Sequence, residues 1–133
     1  MRSPHWTDHE VYLVAERAHS LHLQGHYREA GVLLQGLAAV DPENQYCIES
    51  LAATWLALGE PERAIEALSI LLARHSGDLA VRARRMEAYL MAGNLDGAAR
   101  DFDFLQHLLP AHQVRRLELT LGATAGRTRM TGD

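Results

Sequence analysis

The hexapeptide GHYREA at residues 25–30 returns in altered form as GEPERA at 59–64 and GNLDGA at 93–98. Each copy begins with Gly and ends with Ala, and the starting positions 25, 59 and 93 place successive copies 34 residues apart. A fixed period of this length is typical of stacked helical hairpins, because one hairpin cannot bury its own apolar face and needs its neighbours to cover it. The sequence therefore predicts an all-α array built from one repeated unit.

These repeated residues resemble the tetratricopeptide repeat, a helix-turn-helix unit of 34 residues. In that register the chain holds three hairpins at about 11–44, 45–78 and 79–112. The small residue of the family's first helix falls on Ala18, Ala52 and Met86. Its large residues fall on Leu21, Trp55 and Tyr89 in the first helix and on Leu34, Leu68 and Phe102 in the second. The resemblance implies three tandem hairpins in a right-handed superhelical α-solenoid.

Local signals set the expected ends of the helices. Thr7 and Glu10 have capping-box spacing, so the first helix is expected to begin near Asp8, and Gly25 is expected to supply the left-handed turn that follows it. Asp41 is expected to cap the third helix, with Pro42 in its first turn. The predicted helices span about 8–24, 27–40, 43–58, 62–74, 78–92, 95–108 and 111–122.

The seventh helix carries Val114, Leu117 and Leu121 on one stripe, which suits a terminal helix that covers the last hairpin. We expect a single domain over residues 1–123. The small and polar residues 124–133 are predicted to form a disordered tail.

Composition excludes several functional classes. The formal net charge is −4 and the 13 cationic residues, all Arg, are scattered, so nucleic-acid binding is disfavoured. The apolar runs are too short for a membrane span. Cys47 is a single cysteine, and no signal peptide precedes the first helix, so a cytoplasmic protein is expected.

In the family that the chain resembles, ligands bind a concave groove lined by the first helix of each hairpin. The groove positions carried over to this chain are Tyr12, Ala15, His19, His22, Leu23, Tyr46, Glu49, Ala53, Leu56, Ala57, Ala80, Ala83, Glu87, Leu90 and Met91. Most are apolar or small, which favours an extended or helical peptide that inserts apolar anchors. The alternative interpretation is that Leu56, Leu90 and Met91 only pack between hairpins.

The family's grip on the terminal carboxylate of Hsp70 and Hsp90 tails requires Lys, Asn and Arg at fixed groove positions. The matching positions here hold Ala15, His19, Ser50 and Ala80, with only Arg84 cationic, so this mode is not expected. Three repeats, small size and an apolar groove make the chain similar instead to the tetratricopeptide chaperones of bacterial type III secretion systems.

That resemblance implies a chaperone that masks an apolar segment of a secretion substrate, bound as a protein or an extended peptide. The alternative is a generic adaptor or scaffold that binds a folded partner. The sequence is also compatible with a weak homodimer.

Histidine is the residue type that prompts a chemical hypothesis. His19, His22 and His26 lie three and four residues apart, but Gly25 should end the helix before the third of them, so no metal site is expected. A pH-sensitive contact to the ligand through His19 and His22 is an additional hypothesis.

Catalytic motifs are not apparent in the sequence. There is no phosphate-binding loop or nucleophile elbow, so we expect neither an enzyme nor a bound cofactor. Asp101 and Asp103 lie two apart on a predicted helix and are both expected to be solvated surface residues.

Overall fold

The computed structural model describes residues 5–131, with side chains described as far as residue 126. These residues form seven α-helices and no strand, which confirms the predicted all-α fold. The first six helices end within two residues of the predicted bounds. The seven helices are α1 Asp8–Leu23, α2 Tyr27–Val40, α3 Gln45–Ala57, α4 Pro61–Arg74, α5 Leu79–Met91, α6 Leu95–Gln106 and α7 Ala111–Thr131.

The turn inside each hairpin repeats with the sequence. Gly25, Gly59 and Gly93 have φ angles of 82°, 74° and 76°, a left-handed conformation that other residues adopt only with strain. At the first turn the backbone amide of His26 donates to the carbonyl of Leu21 at 2.8 Å, which closes a Schellman cap. Equivalent bonds close the other two turns. The prediction for Gly25 is confirmed.

The start of α1 is a capping box, as the sequence predicts. The Glu10 amide donates to the Thr7 hydroxyl at 3.1 Å, and the Thr7 amide donates to the Glu10 carboxylate at 2.9 Å. The bond from the Thr7 backbone, followed by that from its side chain, lowers the pKa of the Glu10 carboxyl. Two of the amides at the start of the helix that have no partner within it are thereby satisfied.

The predicted cap of α3 was wrong. Asn44, not Asp41, is the N-cap, and its side-chain oxygen accepts from the Cys47 amide at 3.0 Å. In the turn before the helix, the backbone carbonyl of Asp41 accepts a hydrogen bond from the Asn44 backbone amide at 3.1 Å. The equivalent cap of α5 is Asp78, 34 residues further on, so the cap follows the period of the repeat.

The chain divides into two compact units, residues up to Ala67 and residues from Leu68 onward, with the boundary inside α4. The single domain expected over 1–123 stays a prediction.

In the first unit, α1, α2 and α3 bury a common core of Val11, Ala18, Leu34, Leu37 and Cys47. The small residues at the repeat positions allow this close approach, since Ala18 is 1% exposed and Ala30 and Ala52 are fully buried. The Cys47 thiol is enclosed in this core and donates to the Leu34 carbonyl at 3.2 Å.

Cys47 should react slowly with thiol reagents as long as the first unit is folded. Burial raises the pKa of its thiol from 9.0 to about 11, so the thiolate fraction at pH 8 falls about 100-fold. We expect alkylation by iodoacetamide at pH 8 to be at least that much slower than in urea-unfolded chain, measured by mass spectrometry. Equal rates would show that the thiol is not buried. Because the unfolded chain ionises first, stability should fall as pH rises from 9 toward 11.

The second unit has its own core, formed by Met86, Leu90, Ala98 and Leu105. Leu117 and Leu121 of α7 pack against this core, as predicted for a terminal helix that covers the last hairpin. Leu90 is only 9% exposed and belongs to this core, which agrees with the alternative interpretation that it packs inside the array.

Helix α7 continues to Thr131, beyond the predicted end near residue 122. Residues 124–131 are therefore helical instead of the expected disordered tail, and residues 132 and 133 lie outside the described part of the chain. Residues 122–131 contain the good helix formers Ala, Arg and Met but also two Gly and three Thr, so intrinsic propensity alone does not explain the extension. No helix among the described residues combines the length and apolar character needed to cross a bilayer.

Asp101 is buried, contrary to the expectation that it is a solvated surface residue. Its side chain is 1% exposed and accepts two hydrogen bonds from Arg85, at 2.9 and 2.6 Å, and one from Arg82 at 3.3 Å. The bond to Asp101 raises the pKa of the Arg85 guanidinium. Asp103, two residues along α6, is exposed as predicted. One carboxylate therefore pairs with two largely buried arginines between α5 and α6, which leaves the triad with one net positive charge.

Candidate functional site

A cleft opens between α1 and the start of α3 in the first unit, with a volume of about 390 Å³. Six of its eight lining residues lie on α1, where helical spacing puts them on one stripe. Asn44, the N-cap of α3, and Tyr46 complete the wall. The lining residues are Asp8, Val11, Tyr12, Ala15, Glu16, His19, Asn44 and Tyr46.

The apolar part of the cleft has a fixed base and two exposed aromatic walls. Val11 is buried in the core, and Ala15 packs against that core while lining the cleft. Tyr12 and Tyr46 are 57% and 51% exposed, although large aromatic side chains gain most from burial. An incoming apolar side chain would cover these rings and rest on a rigid base.

The polar part of the cleft is acidic. Asp8 and Glu16 supply two carboxylates, and His19 adds an imidazole. None of the eight lining residues is Arg or Lys. At neutral pH this surface favours cations and repels carboxylates.

Four predicted groove residues come together in this cleft: Tyr12, Ala15, His19 and Tyr46. His22 is one turn further along α1 but packs internally. Its ring meets Tyr27 edge-on with 5.0 Å between the centroids, and its Nδ1 lies 3.5 Å from the Thr54 hydroxyl. That hydroxyl donates to the Ser50 carbonyl at 2.9 Å, which leaves its oxygen free to accept from the imidazole.

The remaining predicted positions of the first unit do not line the cleft. Leu23 is 71% exposed at the end of α1. Glu49 accepts a hydrogen bond from the Gln45 amide at 3.1 Å. The last three positions lie further along α3, where Ala53 and Leu56 are half-buried and Ala57 is exposed.

The predicted groove positions of the second unit are all on α5. Met91 is 53% exposed, and Ala80 and Glu87 are also exposed. Ala83 is half-buried against the core of this unit. With Leu90 in that core, these positions form a mixed surface in which Met91 is the large apolar residue.

Sequence reasoning missed Asp8, Val11, Glu16 and Asn44 as lining residues. The repeat register starts at Val11, so it assigns no groove role to Asp8 or to the cap residue Asn44. Helical spacing could have identified the two acidic residues. Asp8, Tyr12 and Glu16 follow one another at intervals of four and therefore share a face of α1.

The histidines are separated by the first turn. His26 lies beyond the end of α1 and is 3.3 Å from the Glu29 carboxylate. Within residues 5–131, no group of three His, Cys, Asp or Glu side chains is arranged to hold a metal ion.

Two comparisons with known sequences gave one match. Residues 21–83 match the family model of the tetratricopeptide repeat. No curated protein sequence matches the chain.

Three solved structures share the fold of the chain. PcrH from Pseudomonas aeruginosa is 22% identical, with a TM-score of 0.75 over 93% of this chain and 96% of that chain. The type III secretion translocator chaperone SycD from Yersinia enterocolitica is 20% identical, with a TM-score of 0.73 over 88% of this chain and 91% of that one.

A third structure, the first repeat domain of Spaghetti (RPAP3) bound to the HSP90 peptide SRMEEVD, is 19% identical, with a TM-score of 0.73 over 90% of this chain and 99% of that one. Residues 21–83 are thus similar to the tetratricopeptide repeat, and the fold of the chain resembles those of the three solved structures.

Proposed function

We propose that this tetratricopeptide-repeat protein is a chaperone that masks an apolar segment of a partner protein in the cleft between α1 and α3. The partner that fits best is a substrate of a type III secretion system. A protein destined for a membrane exposes apolar segments before it is delivered, and covering one of them prevents aggregation.

The observation that carries this proposal is the pair of exposed tyrosines over an apolar base. Tyr12 and Tyr46 leave about half of their surface in water around Ala15. Exposed aromatic residues in a concave site are typical binding anchors, since they offer a large contact area with few rotatable bonds.

Comparisons with solved structures support peptide binding, and the charge of the cleft favours the chaperone role over binding of an acidic tail. PcrH has been solved with the chaperone binding region of PopD, and SycD with a peptide of the translocator YopD. The peptide bound by Spaghetti ends in an acidic sequence. Glu16, on the wall of the cleft, would repel such a peptide here.

Filling the cleft tests the proposal. Ala15→Trp places an indole on the base of the cleft, whereas Ala39→Trp makes the same substitution at an exposed position on α2. Each tagged variant is used to capture proteins from a lysate of the source organism, and captured chains are identified by mass spectrometry. Circular dichroism melting checks that both variants are folded.

We expect wild type and Ala39→Trp to capture the same secreted protein with an apolar segment, and Ala15→Trp to lose it. Capture that survives in folded Ala15→Trp would overturn the proposal and favour an adaptor that uses another surface. If Ala15→Trp unfolds, Tyr46→Ala provides the same comparison without added volume.

A further inference from the structure

We infer that the partner segment carries a Lys or Arg beside the apolar side chain that enters the cleft. This inference rests on the proposed function and adds a sequence requirement for the ligand. Apolar anchoring alone would accept any exposed hydrophobic segment, whereas the charges around this cleft discriminate among such segments.

Glu16 places an exposed carboxylate beside the apolar base. It follows Ala15 along α1 and lies one helical turn beyond Tyr12, and all three residues line the cleft. An anchor seated at Ala15 therefore has this carboxylate within reach.

An extended segment can place an apolar anchor and a basic side chain on the same side of the chain. Residues two apart in an extended chain are separated by roughly 7 Å and point to the same side. Lys and Arg side chains are long, and their aliphatic stems can lie on apolar surface while the charged end reaches a carboxylate. A basic residue one or two positions from the anchor can thus reach Glu16.

The tyrosines strengthen the same preference. A guanidinium or ammonium group over an aromatic face is attracted by the ring, and Tyr12 and Tyr46 are both exposed beside the carboxylates. The chain already uses this contact internally, where the Arg63 guanidinium lies 4.6 Å from the centre of the Trp55 ring. No lining residue supplies a competing Arg or Lys.

Charge reversal at Glu16 tests the inference. A phage library of random heptapeptides is selected on the full chain as wild type, Glu16→Arg, Glu66→Arg and Tyr12→Ala/Tyr46→Ala. Glu66 is exposed on α4 of the first unit and does not line the cleft, so Glu66→Arg matches the change in net charge. Enriched peptides are then synthesised with each basic residue replaced by Gln, and affinities are measured at low and high salt.

We expect wild type and Glu66→Arg to enrich an aliphatic or aromatic residue next to Lys or Arg. Replacing the basic residue by Gln should weaken binding about twofold to fivefold at low salt, the effect of an exposed ion pair. Glu16→Arg should abolish this difference, and high salt should reduce it.

Two results would overturn the inference while leaving the proposed function in place. They are enrichment of apolar peptides with no basic neighbour, and a basic preference that is unchanged in Glu16→Arg. Failure of the proposed function looks different. In that case every enriched peptide would bind Tyr12→Ala/Tyr46→Ala as tightly as wild type. The inferred basic residue in the partner would then be ruled out together with the proposed function.

Discussion

Asp101→Asn is expected to lower the free energy of unfolding of the second unit by about 3–5 kcal/mol, the cost of leaving a buried charge without its partner. The substitution keeps the shape of the side chain but removes the charge that faces Arg82 and Arg85, whose side chains are only 13% and 18% exposed. Urea denaturation followed by circular dichroism measures the change. The loss should exceed that of most single substitutions.

Asp103→Asn is the matched control, because it is the same chemical change two residues along α6. Asp103 is exposed and accepts one hydrogen bond, from the Gln106 amide at 2.8 Å. Its replacement should alter the free energy of unfolding by no more than about 0.5 kcal/mol. Similar effects at both positions would contradict the buried triad of Asp101, Arg82 and Arg85.

Replacing Tyr12 and Tyr46 together by Ala is expected to weaken binding of the captured partner's apolar segment about 30-fold or more. Buried aromatic anchors commonly contribute 1–2 kcal/mol or more each, and about 1.4 kcal/mol corresponds to a tenfold change in affinity. Both rings are about half exposed in the free protein, so their loss should leave the fold intact. Fluorescence anisotropy with the labelled segment measures the affinity.

Leu13→Ala/Val32→Ala is the control for this pair. Leu13 and Val32 are 51% and 67% exposed, comparable with the tyrosines, but neither lines the cleft. The control should bind like wild type. An equal loss in both double variants would indicate that exposed apolar surface in general, rather than this cleft, holds the segment.

The local elements of the fold could be predicted because their signals are local. The capping box needs only Thr7 and Glu10, and the turn after α1 needs only Gly25. The cap of α3 was missed because Asp41 and Pro42 also form a helix-start signal, and the choice between them and Asn44 depends on where the chain leaves the preceding turn.

The environment of Asp101 could not be predicted in the same way. Nothing in the sequence distinguishes Asp101 from Asp103, so both are expected to be solvated. Asp101 is buried because it binds Arg82 and Arg85, which are 19 and 16 residues away on another helix. Pairings over such distances depend on how α5 packs against α6. Sequence periodicity indicates which helices pair but not which charges meet between them.

The cleft was predicted in part. The repeat register identified Tyr12, Ala15, His19 and Tyr46, since these positions follow from the first helix of each hairpin. It omitted Asp8 and Glu16, whose carboxylates give the cleft its charge. A register taken from a family gives the positions that its members share. It does not describe the charged side chains that one chain carries along the same face of its helix.

A photo-crosslinking amino acid placed in the cleft tests the central claim most directly. Benzoylphenylalanine replaces Tyr46 in one variant and Val32, on the exposed side of α2, in another. Both variants are irradiated in cells of the source organism, and crosslinked chains are identified by mass spectrometry. The account predicts that position 46 crosslinks to an apolar segment of a secreted protein and that position 32 does not. Crosslinks to such a partner from position 32 alone would contradict it.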